Sequence, residues 1–164
     1  MATLLDLEGQ GLLHRLDPGL GPKQQEWRTI TVRTRLKDWM LETLPSLEST
    51  WKIEQSPLEQ LDALTEVFCS GEPLAFGHQL KPLTHIRDGI WELKTADLRM
   101  FGWFTTKDHF LGVDVDLTDR IKKLKLYRPY CDQAVRYRDG LPLDPPKFVP
   151  GDNPHDVVSD IHFP

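Results

Sequence analysis

Between Gly89 and Leu117 the chain spells three consecutive strands, and no other segment constrains the fold as tightly. Gly89-Ile90-Trp91-Glu92-Leu93-Lys94 reads as one strand, and Thr95-Ala96-Asp97 turns the chain. Leu98-Arg99-Met100-Phe101-Gly102-Trp103-Phe104 is apolar at nearly every position, the pattern of a strand buried on both faces. After a turn over 105–108, His109 to Leu117 alternates strictly: His109, Leu111, Val113, Val115 and Leu117 on one face, Phe110, Gly112, Asp114 and Asp116 on the other. Three strands joined by turns this short form a β-meander.

The residues before the meander change period. Ile30 and Val32 alternate with Thr29, Thr31 and Arg33, and Arg28 and Thr34 share the parity of the apolar pair, so a first strand is predicted over about 27–34. Leu36, Trp39, Met40 and Leu44 then recur at helical spacing, and Pro45 ends or bends that helix. Ser56-Pro57-Leu58-Glu59 is a capping box with proline at the first helical position. Behind it Leu58, Leu61, Leu64, Val67 and Phe68 form one stripe, closed by Gly71. These two helices read as an αα-hairpin. A polar loop is expected through Gly77 to Lys81, and a last helix near Pro129 to Arg138. The expected fold class is therefore α+β: a small twisted antiparallel or mixed sheet of about four strands, with the helix pair on one face.

Residues 1–26 read as a short N-terminal arm broken by Pro18-Gly19 and Gly21-Pro22, and 27–140 as the domain. Residues 141–164 carry prolines at 142, 145, 146, 150, 154 and 164 and are expected to lack regular structure, as an extended strap or a disordered tail. No apolar run approaches the roughly 20 residues that span a bilayer, and no signal peptide is written at the start, so a cytoplasmic protein is expected. Cys69 and Cys131 stand apart, which predicts reduced, part-buried thiols.

Chemistry is narrowed mostly by exclusion. Phosphate-binding glycine motifs and nucleophile elbows are absent, which argues against a nucleotide cofactor or a covalent nucleophile. His78, His85, His109, His155 and His162 form no metal-binding pattern. Asp114 and Asp116, roughly 7 Å apart on one strand face, read as a wet face more readily than as a Mg²⁺ site, so no metal and no cofactor are expected. Net charge is −5, yet Leu80 to Gly140 holds 12 Lys/Arg against 9 Asp/Glu, leaving room for an RNA-facing surface. Arg99 stands out because it interrupts an otherwise apolar strand, on the parity of Phe101 and Trp103. It serves either as a functional cation or as an ion-pair partner of Glu92 across the hairpin.

Leu80-Lys81-Pro82-Leu83, then Arg87-Asp88-Gly89-Ile90-Trp91-Glu92-Leu93-Lys94, then Leu98-Arg99-Met100-Phe101, the Lys122-Lys123 pair and Ala134-x-Arg136 together resemble the RelE/ParE toxin superfamily, in particular its HigB-like and related phage members. The resemblance covers about 27–140. It implies a metal-independent endoribonuclease of a toxin–antitoxin system that cleaves mRNA on the ribosome, with an antitoxin or other protein partner. Carried over, it places Lys81 and Lys94 beside the scissile phosphate and Arg99 on the transition state. Lys122, Lys123, Lys125, Tyr127 and Arg87 would bind RNA. The general base stays open among Lys81, Lys94 and a tyrosine. The chain departs from the family in its acidic Asp114 and Asp116, its negative net charge and its two extensions. The alternative function is a non-catalytic protein-binding module on the same scaffold, a phage or mobile-element factor, for which the five tryptophans speak.

Overall fold

A computed structural model describes all residues, 1–164. The fold is α+β, and its sheet is mixed. An N-terminal turn of helix, α1 (Leu4–Gly9), leads into β1 (Leu13–Arg15), β2 (Thr29–Arg33), α2 (Thr34–Glu42) and a 3₁₀ turn at Leu44–Ser46. After α3 (Pro57–Cys69) come β3 (Leu74–Ala75), β4 (Leu80–Pro82), β5 (Ile90–Lys94), β6 (Leu98–Thr106) and β7 (His109–Leu117). The chain ends with α4 (Thr118–Leu124), α5 (Tyr127–Gly140), α6 (Pro154–Val157) and β8 (Ile161–His162).

Six strands, rather than about four, form the main sheet, in the order β1-β2-β7-β6-β5-β4. The meander β5-β6-β7 is antiparallel, and β2 joins β7 in parallel. The two additions are edge strands of three residues each. Alternation is illegible over so short a span, and Pro82, which has no N–H to donate, is tolerated at an edge. The loop expected through Gly77–Lys81 thus contains the start of β4.

Both helices of the predicted pair lie on one face. Leu36 and Leu44 from the first, and Leu61, Leu64 and Phe68 from the second, are buried against Ile30, Val32, Trp91, Met100 and Phe104. The capping box of α3 forms, with the Glu59 N–H donating to Ser56 Oγ (3.2 Å) and the Ser56 N–H to Glu59 Oε1 (3.3 Å). A second layer covers the other face. Leu7, Ile121, Cys131 and Ala134 pack there on Phe101, Trp103, Leu111 and Val113.

The strict alternation expected of β7 fails at one point. Phe101 pairs with Asp114, but Gly102 pairs with Gly112, so Val113 is an extra residue in the ladder. This bulge turns Phe110 and Val115 to the helix-pair face, and Leu111 and Val113 to the α5 face. A Cβ on Gly102 would stand 2.0 Å from the Leu111 carbonyl oxygen, so only glycine admits the close approach.

The proline-rich tail, expected to lack regular structure, is instead built into the fold. Leu141, Leu143, Val157 and Val158 are buried, and β8 pairs in parallel with β3. Its anchor is Arg28, 1% exposed, whose guanidinium donates to the carbonyls of Phe68, Glu72 and Ser159 and faces Asp108 at 3.5 Å. Scattered prolines fix φ without preventing such local pairing.

Both cysteines are free and buried, and burial pushes each thiol up to about 12. The thiolate is the reactive form. Neither thiol is therefore expected to react with a disulfide reagent at pH 8 while the chain is folded, and both should react once denaturant is added. Reaction of one thiol in the native protein would contradict this burial. No helix is long and apolar enough to cross a membrane.

Candidate functional site

Side chains two residues apart on a strand share a face. Glu92 and Lys94 on β5 are such a pair, and cross-strand register sets their neighbours. Glu92 lies opposite Lys81 on β4 and Phe101 on β6, while Lys94 lies opposite Arg99, which lies opposite Asp116 on β7. The two rows sit side by side beneath the N-terminus of α5. There Tyr130 stacks on Phe101 with ring centroids 4.9 Å apart, and Tyr127 meets the same ring edge-on at 5.7 Å. The Tyr127 phenol is close enough to Glu92 and Arg99 to interact with both.

Electrostatics follow from burial. Glu92 is 1% exposed, and desolvation raises its pKa even though Arg99, Lys94, Tyr127 and Lys81 all pull it down. One of its carboxylate oxygens, Oε2, has no partner. Burial lowers the Lys94 pKa, and the positive charges of Arg99, Lys81 and Lys122 lower it further, against Glu92. Its Nζ donates to the Gly77 carbonyl at 2.8 Å. Burial also raises the Tyr127 pKa, which keeps the phenol protonated.

Arg99 is not the ion-pair partner of Glu92 that the hairpin suggested. The register offsets them by one row, and no carboxylate oxygen lies within 4 Å of its guanidinium. Its Nη1 instead donates to the carbonyls of Thr95 (2.5 Å) and Leu98 (3.0 Å). The turn that receives it is clamped to α3. Gln60 Nε2 donates to Asp97 Oδ2 at 2.6 Å, and the Asp97 N–H donates back to Gln60 Oε1 at 3.0 Å.

Of the residues singled out in the sequence, Lys81, Lys94, Arg99 and Tyr127 therefore come together around Glu92, with Lys122 within electrostatic reach of Lys94. Lys123 and Lys125 are exposed at the end of α4, where Lys125 caps the helix with φ of 56°. Arg87 is held away from the group by an ion pair with Asp132 of α5 (2.7 Å). Asp114 and Asp116 are not a bare wet pair. Arg33 holds Asp114 at 2.7 Å, while Arg120 and the Tyr130 hydroxyl both donate to Asp116 Oδ2 at 2.6 Å. No three His, Cys, Asp or Glu side chains are grouped to hold a metal ion.

Sequence reasoning missed the central position of Glu92. Alternation along β5 was the available signal, since it puts this acid on the face of Lys94. His78 was weighed only as a metal ligand, because its place beside Lys94 depends on the fold of the Gly77–Gln79 segment.

A buried acid with a raised pKa makes stability depend on pH with a definite sign. Its contribution is fully present below the ordinary value of 4.5 and is lost as pH rises through the higher folded value. Each unit of separation is worth about 1.4 kcal/mol. Wild type should therefore lose stability relative to Glu92→Gln as pH rises from 4.5 towards neutrality. Parallel thermal-midpoint curves for the two proteins over that range would refute the assignment.

Comparison with known proteins finds no matching family model, no matching curated protein and no matching solved structure.

Proposed function

We propose that this chain is a RelE/ParE-like endoribonuclease that cleaves mRNA at the ribosome without a metal. The reading is carried by one observation: two adjacent cross-strand rows gather Lys81, Lys94 and Arg99 on a single sheet face, around a buried carboxyl and under Tyr127. The order of elements supports it as well, since strand, helix pair, three-stranded meander and C-terminal helix is the succession that the sequence resemblance implies.

In this reading the ribose 2′-oxygen attacks the adjacent phosphorus as the P–O5′ bond breaks, leaving a 2′,3′-cyclic phosphate and a 5′-hydroxyl. Lys94 takes the 2′ proton, because burial and neighbouring cations lower its pKa and so favour the neutral amine. Arg99 and Lys81 hold the charge that develops on the phosphorane oxygens. Tyr127, kept protonated, supplies the proton to the departing 5′ oxygen.

Induced expression in a bacterium tests the reading in vivo. Wild type should arrest translation and growth, and Lys94→Met, expressed to the same level, should not. Normal growth under folded wild-type protein would overturn it. One observation favours the second reading, a protein-binding module. Trp27 and Trp51 stand 63% and 56% exposed, and Ile53 lies near Trp51 in the same loop. Growth arrest unchanged by Lys94→Met would favour that alternative.

A further inference from the structure

Between α2 and α3 the helix pair leaves an apolar cleft of about 220 Å³, lined by Leu41, Leu44, Leu58 and Leu61, of which Leu41 stands 64% exposed. It runs into an acidic cleft along the outer face of α3: Asp17 and Asp62 line both, and Glu59 and Glu66 line the second. α3 carries no Lys or Arg. Its acids fall at i, i+3 and i+7, so they share one face and repel one another. None of the acids lining these clefts forms an ion pair within 4 Å, and Lys37 is the one base lining either cleft. Burial and the Glu59 charge raise the Asp62 pKa, and no cation offsets them. An apolar slot with an unpaired acidic rim fits a partner that offers an apolar side chain flanked by lysines.

The chain itself carries such an element. α4 ends in Lys122-Lys123-Leu124-Lys125, four consecutive exposed residues, with Leu124 55% exposed and none of the lysines ion-paired. Ile121, just before them, packs in the layer of Phe101 and Leu111, whereas Leu44 and Leu61 belong to the layer on the other face of the sheet. The tip of α4 therefore cannot reach the groove of its own chain, and the two meet only between copies. We propose that the chain self-associates head to tail: Leu124 of one copy enters the α2–α3 cleft of the next, and the three lysines meet its acidic rim. Two different patches meet, so the contact is heterologous. The charge complementarity steers the encounter and fixes which patches pair. The same lysines would bind RNA in the ribonuclease reading, but the contact stands on exposure and charge without it.

The test is sedimentation velocity of the full chain at rising concentration, in low and in high salt. The contact is small, so association is expected to be weak, and the series extends to about 1 mM of chain. The sedimentation coefficient should rise with concentration in low salt, and added salt should suppress the rise. Leu124→Glu at the tip and Asp62→Lys in the groove should each weaken association by about tenfold or more, because each sets like charges against each other. Both positions are exposed on helices and both new residues are good helix formers, so the fold is kept. The deciding arm mixes the two variants. The Asp62→Lys protein keeps its tip and the Leu124→Glu protein keeps its groove, so together they should form a one-to-one heterodimer that neither forms alone. A wild type that stays monomeric up to about 1 mM would overturn the proposal. So would association that is indifferent to salt, association that persists in either variant, or two monomeric variants that fail to pair when mixed.

Discussion

Arg99→Ala is expected to lower mRNA cleavage by roughly two to three orders of magnitude, the scale of losing one preorganised donor to a developing oxyanion. The same change should cost only about 1–3 kcal/mol of stability. The guanidinium gives up two bonds to the Thr95 and Leu98 carbonyls, and no carboxylate within 4 Å loses a partner. Arg99→Lys keeps the charge but not the fork, so it should restore little of the activity. A second contribution comes through Glu92, whose ionised form Arg99 favours. Adding Glu92→Gln to an Arg99→Met background should therefore recover part of the lost stability and none of the cleavage. Thermal midpoints and cleavage rates on the same set of proteins separate the two effects. A folded, fully active Arg99→Ala protein would show that the arginine is neither catalytic nor structural.

Arg28→Met is expected to lower stability by about 3–5 kcal/mol. This guanidinium is buried among carbonyls at the end of α3 and just before β8, with Asp108 as its charge partner. Methionine fills part of the volume and satisfies none of those oxygens. For a chain of this size the loss corresponds to a fall of roughly 10 °C in thermal midpoint. The tail from residue 141 should become the first site of proteolysis, because the bond from Arg28 to the Ser159 carbonyl ties β8 to the body. An unchanged midpoint with a protease-resistant tail would contradict the role given to Arg28.

These two arginines show how far the sequence could be read. Both stand on the parity of apolar neighbours, Arg28 with Ile30 and Val32, Arg99 with Phe101 and Trp103. Periodicity alone therefore marks both as unusual, because a charge in such a place needs partners. The partners themselves were not legible. Arg28 meets carbonyls 40 and 131 residues away, and Arg99 turns back on its own hairpin. The long elements were visible because their periods run for several repeats: the meander, the capped helix α3 and the stripe of α2. β1, β4 and β8 span two or three residues, too few for a period, and their pairing is decided by the edges they meet. The bulge at Val113 was hidden for a different reason. Strict alternation through His109–Leu117 looked complete, and only the opposed Gly102 and Gly112 betray the extra residue.

At the candidate site, charge and the family resemblance brought out the cations, and the acid between them was missed. Lys81, Lys94 and Arg99 were singled out by charge, and cross-strand register then puts them on one face. Glu92 was read only as a partner for Arg99. Its near-complete burial beside Tyr127 depends on α5 covering that face, which no local pattern states.

The proposed mechanism, in which RNA is cut by its own 2′-hydroxyl under these side chains, is tested most directly with a programmed ribosome and one altered nucleotide. The cleavage position is first mapped on an all-ribose mRNA, and a single 2′-deoxy substitution is then placed immediately upstream of the cut. The proposed mechanism predicts cleavage of the ribose message to a 2′,3′-cyclic phosphate and a 5′-hydroxyl, and none at the substituted position. Equal cleavage of the deoxy-substituted message, or a 3′-hydroxyl at the cut end, would contradict it.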